Sequence, residues 1–253
     1  MNVPEIAARL ARAGRLEAPP LCVYGADEPP VGSAPAQDQG RCVARAIFGL
    51  ANDPDGPDAI HHQQLEGRCC PGGQAWCGFQ PFRPMLKYFL STGTPSFRNG
   101  KAEHLLASPD LAEARMEAAG RITAPGRTLV IQRASTFELS NNGPEVLSFL
   151  VFGGAEQVRN LCSLAYFGLD SSINAQMPWG PSCASFVSYP AGMIEHGPHG
   201  QLVLGPTDPT TNRWFPPDQL SLGIPFELAR TMAQQLDDSF IGKLPKVAYP
   251  PRG

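Results

Sequence analysis

VLSFLVFGGAEQVRNLCSLAYF, residues Val146–Phe167, reads as a strand, a turn and a helix in one pass. Val146–Phe152 is apolar enough to be buried on both faces of a sheet. Gly153-Gly154 interrupts the run. Beyond it Val158, Leu161, Cys162 and Ala165 return at the i, i+3, i+4, i+7 spacing of one helical stripe, so Ala155–Phe167 is expected to be a helix. A doubly buried strand feeding an amphipathic helix is the building unit of a sheet with helices packed on it.

The same unit recurs on both sides of this stretch. Upstream, Asn2 can cap a first helix with Pro4 in its opening turn, Ile6 and Leu10 on one face and Gly14 at its end. Leu21–Tyr24 and Leu129–Gln132 read as strands, and the Pro/Gly-rich segment Gly25–Gly40 reads as a loop. Cys42–Leu50, Phe82–Leu90 and Pro109–Ala119 read as helices, the last with Ser108 as cap and Gly120 just past the end. Downstream, strands are expected at Ala184–Tyr189, Leu202–Leu204 and Leu220–Ile224, followed by a helix over Phe226–Leu236. This alternation predicts an α/β or α+β fold, a single compact domain over residues 1–253 with a mixed central sheet flanked by helices.

Composition narrows the function classes. The 253 residues suffice for a substantial core without staples. The longest apolar runs are far too short to span a bilayer. A net charge of −3 with no Lys/Arg cluster argues against nucleic acid as a partner and leaves small molecules or proteins, of which a small-molecule substrate is expected; homo-oligomer formation stays open. The first residues, MNVPEIAARLARAG, mix charges where an export signal needs an apolar segment, so a cytoplasmic location is expected, with its seven cysteines reduced.

Reduced thiols are free to bind metal or to react. Arg68-Cys-Cys-Pro-Gly-Gly-Gln-Ala-Trp-Cys-Gly78 packs three of them into one short segment, read as a turn. Proline stiffens it, Gly72 and Gly73 admit close backbone approach to a bulky ligand, and Trp76 offers an aromatic wall. Proline also follows ligand cysteines in iron–sulfur proteins.

Cys70-Pro-Gly-Gly-Gln-Ala-Trp-Cys-Gly-Phe79, with Cys42-Val-Ala-Arg-Ala46 upstream and Pro181-Ser-Cys-Ala-Ser185 downstream, resembles the family called domain of unknown function 169. The likeness runs from the strand at residues 19–24 to Gly223-Ile-Pro-Phe-Glu227 and the helix after it. Gly205-Pro-Thr-Asp-Pro-Thr-Thr-Asn-Arg213 is longer here than the Gly-x-Arg turn of many relatives, which leaves the role of Arg213 open. Carried over by this resemblance, the family cysteines are Cys42, Cys70 and Cys183. Three such thiolates can hold a [4Fe-4S] cluster with one iron open, suited to non-redox lyase, hydratase or desulfidase chemistry. Cys69 or Cys77 is available as a fourth ligand.

Competing readings stand beside this one. Cys70 can act as a cluster-free nucleophile, or the cysteines can hold a metal or ligand without catalysis, or they can be buried packing residues. Cys22 and Cys162 read as core. His61-His62 reads as a solvated loop, and His196-Gly-Pro-His199 as a connection that can also bring two imidazoles together. Asp208, Arg213 and Glu195 are the candidate catalytic polar groups because they lie in Gly/Pro-rich loops. Trp76, Phe79, Phe82 and Trp179 can wall a dry pocket. Walker, Gly-x-Ser-x-Gly and His-Glu-x-x-His signatures are absent.

Overall fold

The run Val146–Gly154 lies in the middle of a sheet, where a segment apolar on both faces belongs. The computed structural model describes residues 1–39, 42–63, 70–118, 126–138, 144–167, 175–192 and 201–243. In chain order these form α1 (Val3–Gly14), β1 (Leu21–Ala26), β2 (Ala34–Pro35), α2 (Val43–Asn52), β3 (Ala59–Gln63) and α3 (Pro71–Trp76). Then come α4 (Leu86–Leu90), α5 (Pro109–Ala118), β4 (Thr128–Arg133), β5 (Val146–Gly154), α6 (Ala155–Tyr166) and β6 (Ala175–Gln176). The last are α7 (Tyr189–Gly192), β7 (Leu202–Gly205), β8 (Gln219–Pro225), α8 (Phe226–Gln235) and α9 (Phe240–Lys243).

The strands make one sheet in the order β2-β3-β4-β1-β5-β8-β7-β6. Its interior pairs are antiparallel and its two outermost pairs, β2 with β3 and β6 with β7, are parallel. The fold is therefore mixed α/β, with strands from both halves of the chain in one sheet.

Alternation along the strands divides the interior into two cores. Leu21, Val23, Leu129, Ile131, Leu150 and Phe152 face one side, with α2 and α7. Cys22, Tyr24, Val130, Phe149 and Val151 face the other, with α1, α6 and α8. Cys22 and the half-buried Cys162 both belong to this second core, as read from their apolar settings.

Local signals act as expected at several ends. Asn2 Oδ1 accepts the Glu5 N–H at 2.9 Å and Glu5 accepts the Asn2 N–H at 3.0 Å, a closed capping box. The α1 stop differs from expectation. The left-handed residue is Arg15 (φ 52°), while Gly14 leaves room for Leu16 and Leu161, whose side chains would come within 2.9 and 3.2 Å of a Cβ there. The segment 25–40 also carries more structure than a loop, namely the end of β1, β2, and a 3-10 turn at Ala36–Gln39.

Four further expectations are corrected. Ala184–Tyr189 is not a strand: a π-helical turn at Ala184–Ser188 runs into α7, making one helix over 182–192. The run is buried on every side, so it lacks the alternation that separates strand from helix. The Cys-Pro-Gly-Gly segment is the first turn of α3, with Cys70 as N-cap and Pro71 in the opening positions, where its missing N–H costs nothing. His61 and His62 lie in β3, the latter only 1 % exposed. Helix α4 starts at Leu86 because Pro84 keeps the preceding residue out of helical geometry.

Candidate functional site

Three helix starts deliver three thiols to one cavity on the α2/α7 side of the sheet. Cys42 is the N-cap of α2, Cys70 the N-cap of α3, and Cys183 lies in the opening turn of the helix over 182–192. All three line a cavity of about 350 Å³. Cys183 is buried, Cys42 half-buried and Cys70 exposed, so the cavity is graded from floor to mouth. Cys70 Sγ accepts the Gly73 N–H at 3.2 Å. Gly72, Gly73 and Trp76 line the same space.

Aromatic contacts hold these elements together. Trp76 meets the rings of Phe82 at 4.9 Å, Tyr189 at 6.0 Å and Trp179 at 6.5 Å. The Tyr189 hydroxyl donates to Trp179 O at 2.6 Å, and Ser188 Oγ donates to Trp76 O. Trp76 and Trp179 wall the cavity, whereas Phe79 and Phe82 pack behind them without lining it.

Asp208 also reaches the cavity. It caps the 3-10 turn Pro209–Arg213, accepting the Thr210 N–H at 2.9 Å, just after the cis Gly205–Pro206 bond. Arg213 does not line this space; together with Arg45 and Phe48 it borders a separate hollow of about 410 Å³, and Trp214 borders both. Glu195, His196, His199 and Cys69 lie outside the described residues.

Glu103, Arg83, Arg98 and Ser182 line the cavity as well. Sequence reading did not select them. Only Ser182 had a signal, standing inside the Pro-Ser-Cys motif; Glu103 and Arg98 come from an irregular segment whose pattern carries nothing. That segment is pinned by Glu103 N–H to Phe89 O at 2.8 Å and Leu105 N–H to Leu90 O at 2.9 Å. Arg98 and Asn99 hold left-handed backbone (φ 50° and 55°), and the Arg98 guanidinium sits 4.3 Å from the Phe89 ring centre.

The groups sense one another. Burial pushes the Cys183 thiol well above its ordinary value, and the thiols of Cys77, Cys70 and Cys42 and the Asp208 carboxylate push the same way. Burial raises Cys42 too; the Arg45 and Ala44 N–H groups oppose it, while Cys70 and Asp208 add to it. Burial and the Asp208 charge raise Glu103, against Arg98 and Lys101. Negative charge is therefore costly in this space unless something positive shares it. Among the described residues, no group of three or more His, Cys, Asp or Glu side chains is gathered as around a metal ion.

His62 braces α3 from behind. Its Nε2 stands 3.3 Å from Gln74 Nε2, its Nδ1 has no partner among the described residues, and its ring meets Phe79 edge-on. Burial, then the charge on His61, lowers it to about 4. Below about pH 6.5 the unfolded chain binds a proton that the folded chain refuses until about pH 4. Stability is therefore full above pH 6.5 and falls toward pH 4, by on the order of 3 kcal/mol from this residue. Urea melts of the protein and of His62→Gln should diverge in that window, with the variant the flatter; parallel curves would remove His62 from the account.

A mixed α/β domain with a thiol-lined cavity on one face is the class that fold and site define. The chain belongs to the family described as uncharacterised ArCR, domain of unknown function 169, whose model matches residues 9–235. No curated protein and no solved structure matches it.

Proposed function

We propose that the cavity holds an iron–sulfur cluster on Cys42, Cys70 and Cys183, and that the protein is a non-redox enzyme of lyase, hydratase or desulfidase type acting on a small molecule in the cytoplasm. The observation that carries this reading is the meeting of three thiols from three distant helix starts in one cavity. Burial of Cys42 and Cys183, and after it the repulsion each feels from neighbouring thiols, favours a positively charged occupant over free thiolates.

The donor set suits a cluster better than a lone ion. Thiolates on one tetrahedral ion stand about 3.8 Å apart, since each metal–sulfur bond is about 2.3 Å. A cubane spreads its thiolates over different irons and spaces them more widely, as three separate helix starts around one cavity can supply. When bound, a cluster with one iron free of protein ligands supplies a Lewis acid or sulfur acceptor. Glu103, held protonated to higher pH than an exposed carboxylate, is the residue suited to move a proton, with Asp208 beside it as its charged neighbour.

A second reading rests on Cys70 alone. It is exposed and its sulfur accepts a helix-start N–H, the setting of a reactive thiol. Anaerobic purification followed by an absorption spectrum and iron and sulfide analysis separates the two. Stoichiometric iron and sulfide are expected. Their absence after anaerobic reconstitution, with Cys70 still alkylated selectively, would replace the cluster by the thiol enzyme.

A further inference from the structure

The helix over 182–192 opens directly on the cavity. Its Ala184 and Ser185 N–H groups donate to Pro181 O at 2.8 and 3.3 Å, so the N–H groups ahead of them, on Ser182 and Cys183, are the ones a helix start leaves without intrahelical acceptors. Ser182 is 2 % exposed and lines the cavity, and its hydroxyl has no partner among the described residues. A buried hydroxyl left unmatched costs free energy that a bound acceptor recovers.

Two cations stand in the same wall. Neither Arg83 nor Arg98 forms an ion pair with a carboxylate among the described residues. Arg98 is instead preset by its stacking on Phe89 and by its left-handed backbone. Arg98 acts on the Glu103 charge, but with no hydrogen-bonded carboxylate its guanidinium, like that of Arg83, can still pair with an anion from outside.

The charge count selects the anion. Glu103 and Asp208 face the same space as the two arginines. A doubly charged phosphate adds two charges beside these carboxyl groups, whereas a carboxylate adds one and matches the guanidinium fork. Trp76, Trp179, Phe89 and Phe97 make the remaining wall apolar.

We infer that the cavity binds a monocarboxylate with an apolar body, the carboxylate accepting from the Ser182 hydroxyl and the start of the 182–192 helix and paired with Arg98. This takes the cavity of the proposed function as the substrate cavity and does not depend on its iron.

Ligand-observed NMR on the full-length protein tests it, with phenylacetate as probe, phenylacetamide as its uncharged counterpart and inorganic phosphate as the dianion. Iron content is measured on the same samples, loaded and unloaded. Phenylacetate should bind at least about tenfold more tightly than either comparison ligand, in both samples, as expected for a hydrogen bond to a charged group. Ser182→Ala and Arg98→Gln should each weaken it about tenfold, with Ser182→Thr restoring binding. Ser148→Ala, which removes another unpartnered buried hydroxyl away from the cavity lining, should leave it unchanged. Equal binding of phenylacetamide, tighter binding of phosphate, or full affinity in both Ser182→Ala and Arg98→Gln would overturn the inference. Absence of iron with phenylacetate still bound would overturn only the cluster.

Discussion

Cys42→Ala, Cys70→Ala and Cys183→Ala are each expected to remove most of the iron that the anaerobically purified protein carries, whereas Cys22→Ala and Cys162→Ala should keep it. The contrast follows from the sheet. The first three thiols line the cavity on the α2/α7 side, and the other two are packed in the core on the opposite side. Cys162→Ala should cost only packing, about 1 kcal/mol for a small half-buried group. Iron and sulfide per chain, with a thermal melt on each variant, separate loss of ligand from loss of fold. Iron retained in all three cavity variants, or lost equally from Cys22→Ala, would end the cluster reading.

Phe186→Ala should destabilise the protein by about 3–5 kcal/mol, the cost of deleting a fully buried aromatic ring and leaving its cavity. Phe186 meets Phe152 of β5 edge-on at 5.1 Å and lies 6.3 Å from Phe215, so its ring joins the 182–192 helix to the central strand. The same helix carries Ser182 and Cys183, and its Pro190 sits so close to Gly223 that a Cβ there would fall 2.1 Å from the proline ring. Loss of the ring should therefore loosen the cavity floor as well as the fold. Urea denaturation measures the first effect and Cys183 alkylation the second. A variant within 1 kcal/mol of the parent would show that this helix is held mainly by its other contacts.

The scaffold was readable wherever one face or both faces of an element met a single environment. Val146–Phe152 is apolar throughout and is the central strand; Val158, Leu161 and Ala165 share the buried stripe of α6. The reading failed where tertiary burial erased the pattern. Ala184–Ser188 is a helix wrapped on all sides, and its side chains show no period to read. Cys70-Pro-Gly-Gly was legible as a special backbone segment but not as a helix start, because glycines at successive positions argue for a turn until the proline is recognised as the opening residue.

Site residues divide the same way. Cys42, Cys70 and Cys183 were found through the resemblance of their motifs to the family, and Asp208 through its loop. Glu103, Arg83 and Arg98 were not, since no local rule marks a charged residue whose cavity is closed by segments remote in sequence. Arg213 carried the same loop signal as Asp208, five residues away, yet borders a different hollow across Trp214. Loop membership says that a side chain is available and says nothing of the direction it takes.

The rims of the sheet bear on how copies of this chain meet. Among the described residues, one rim is Ala34 and Pro35 and the other is Ala175 and Gln176. Pro35 lacks the N–H that a further strand would need, and a two-residue ladder offers a passing chain almost nothing to extend. Fibre-like growth by strand addition is thereby discouraged at both described rims, although the sheet between them is long and rich in β-branched and aromatic side chains. Among the described residues, the surfaces that remain are helical faces and loops, where contacts are made by side chains and are easier to tune one residue at a time.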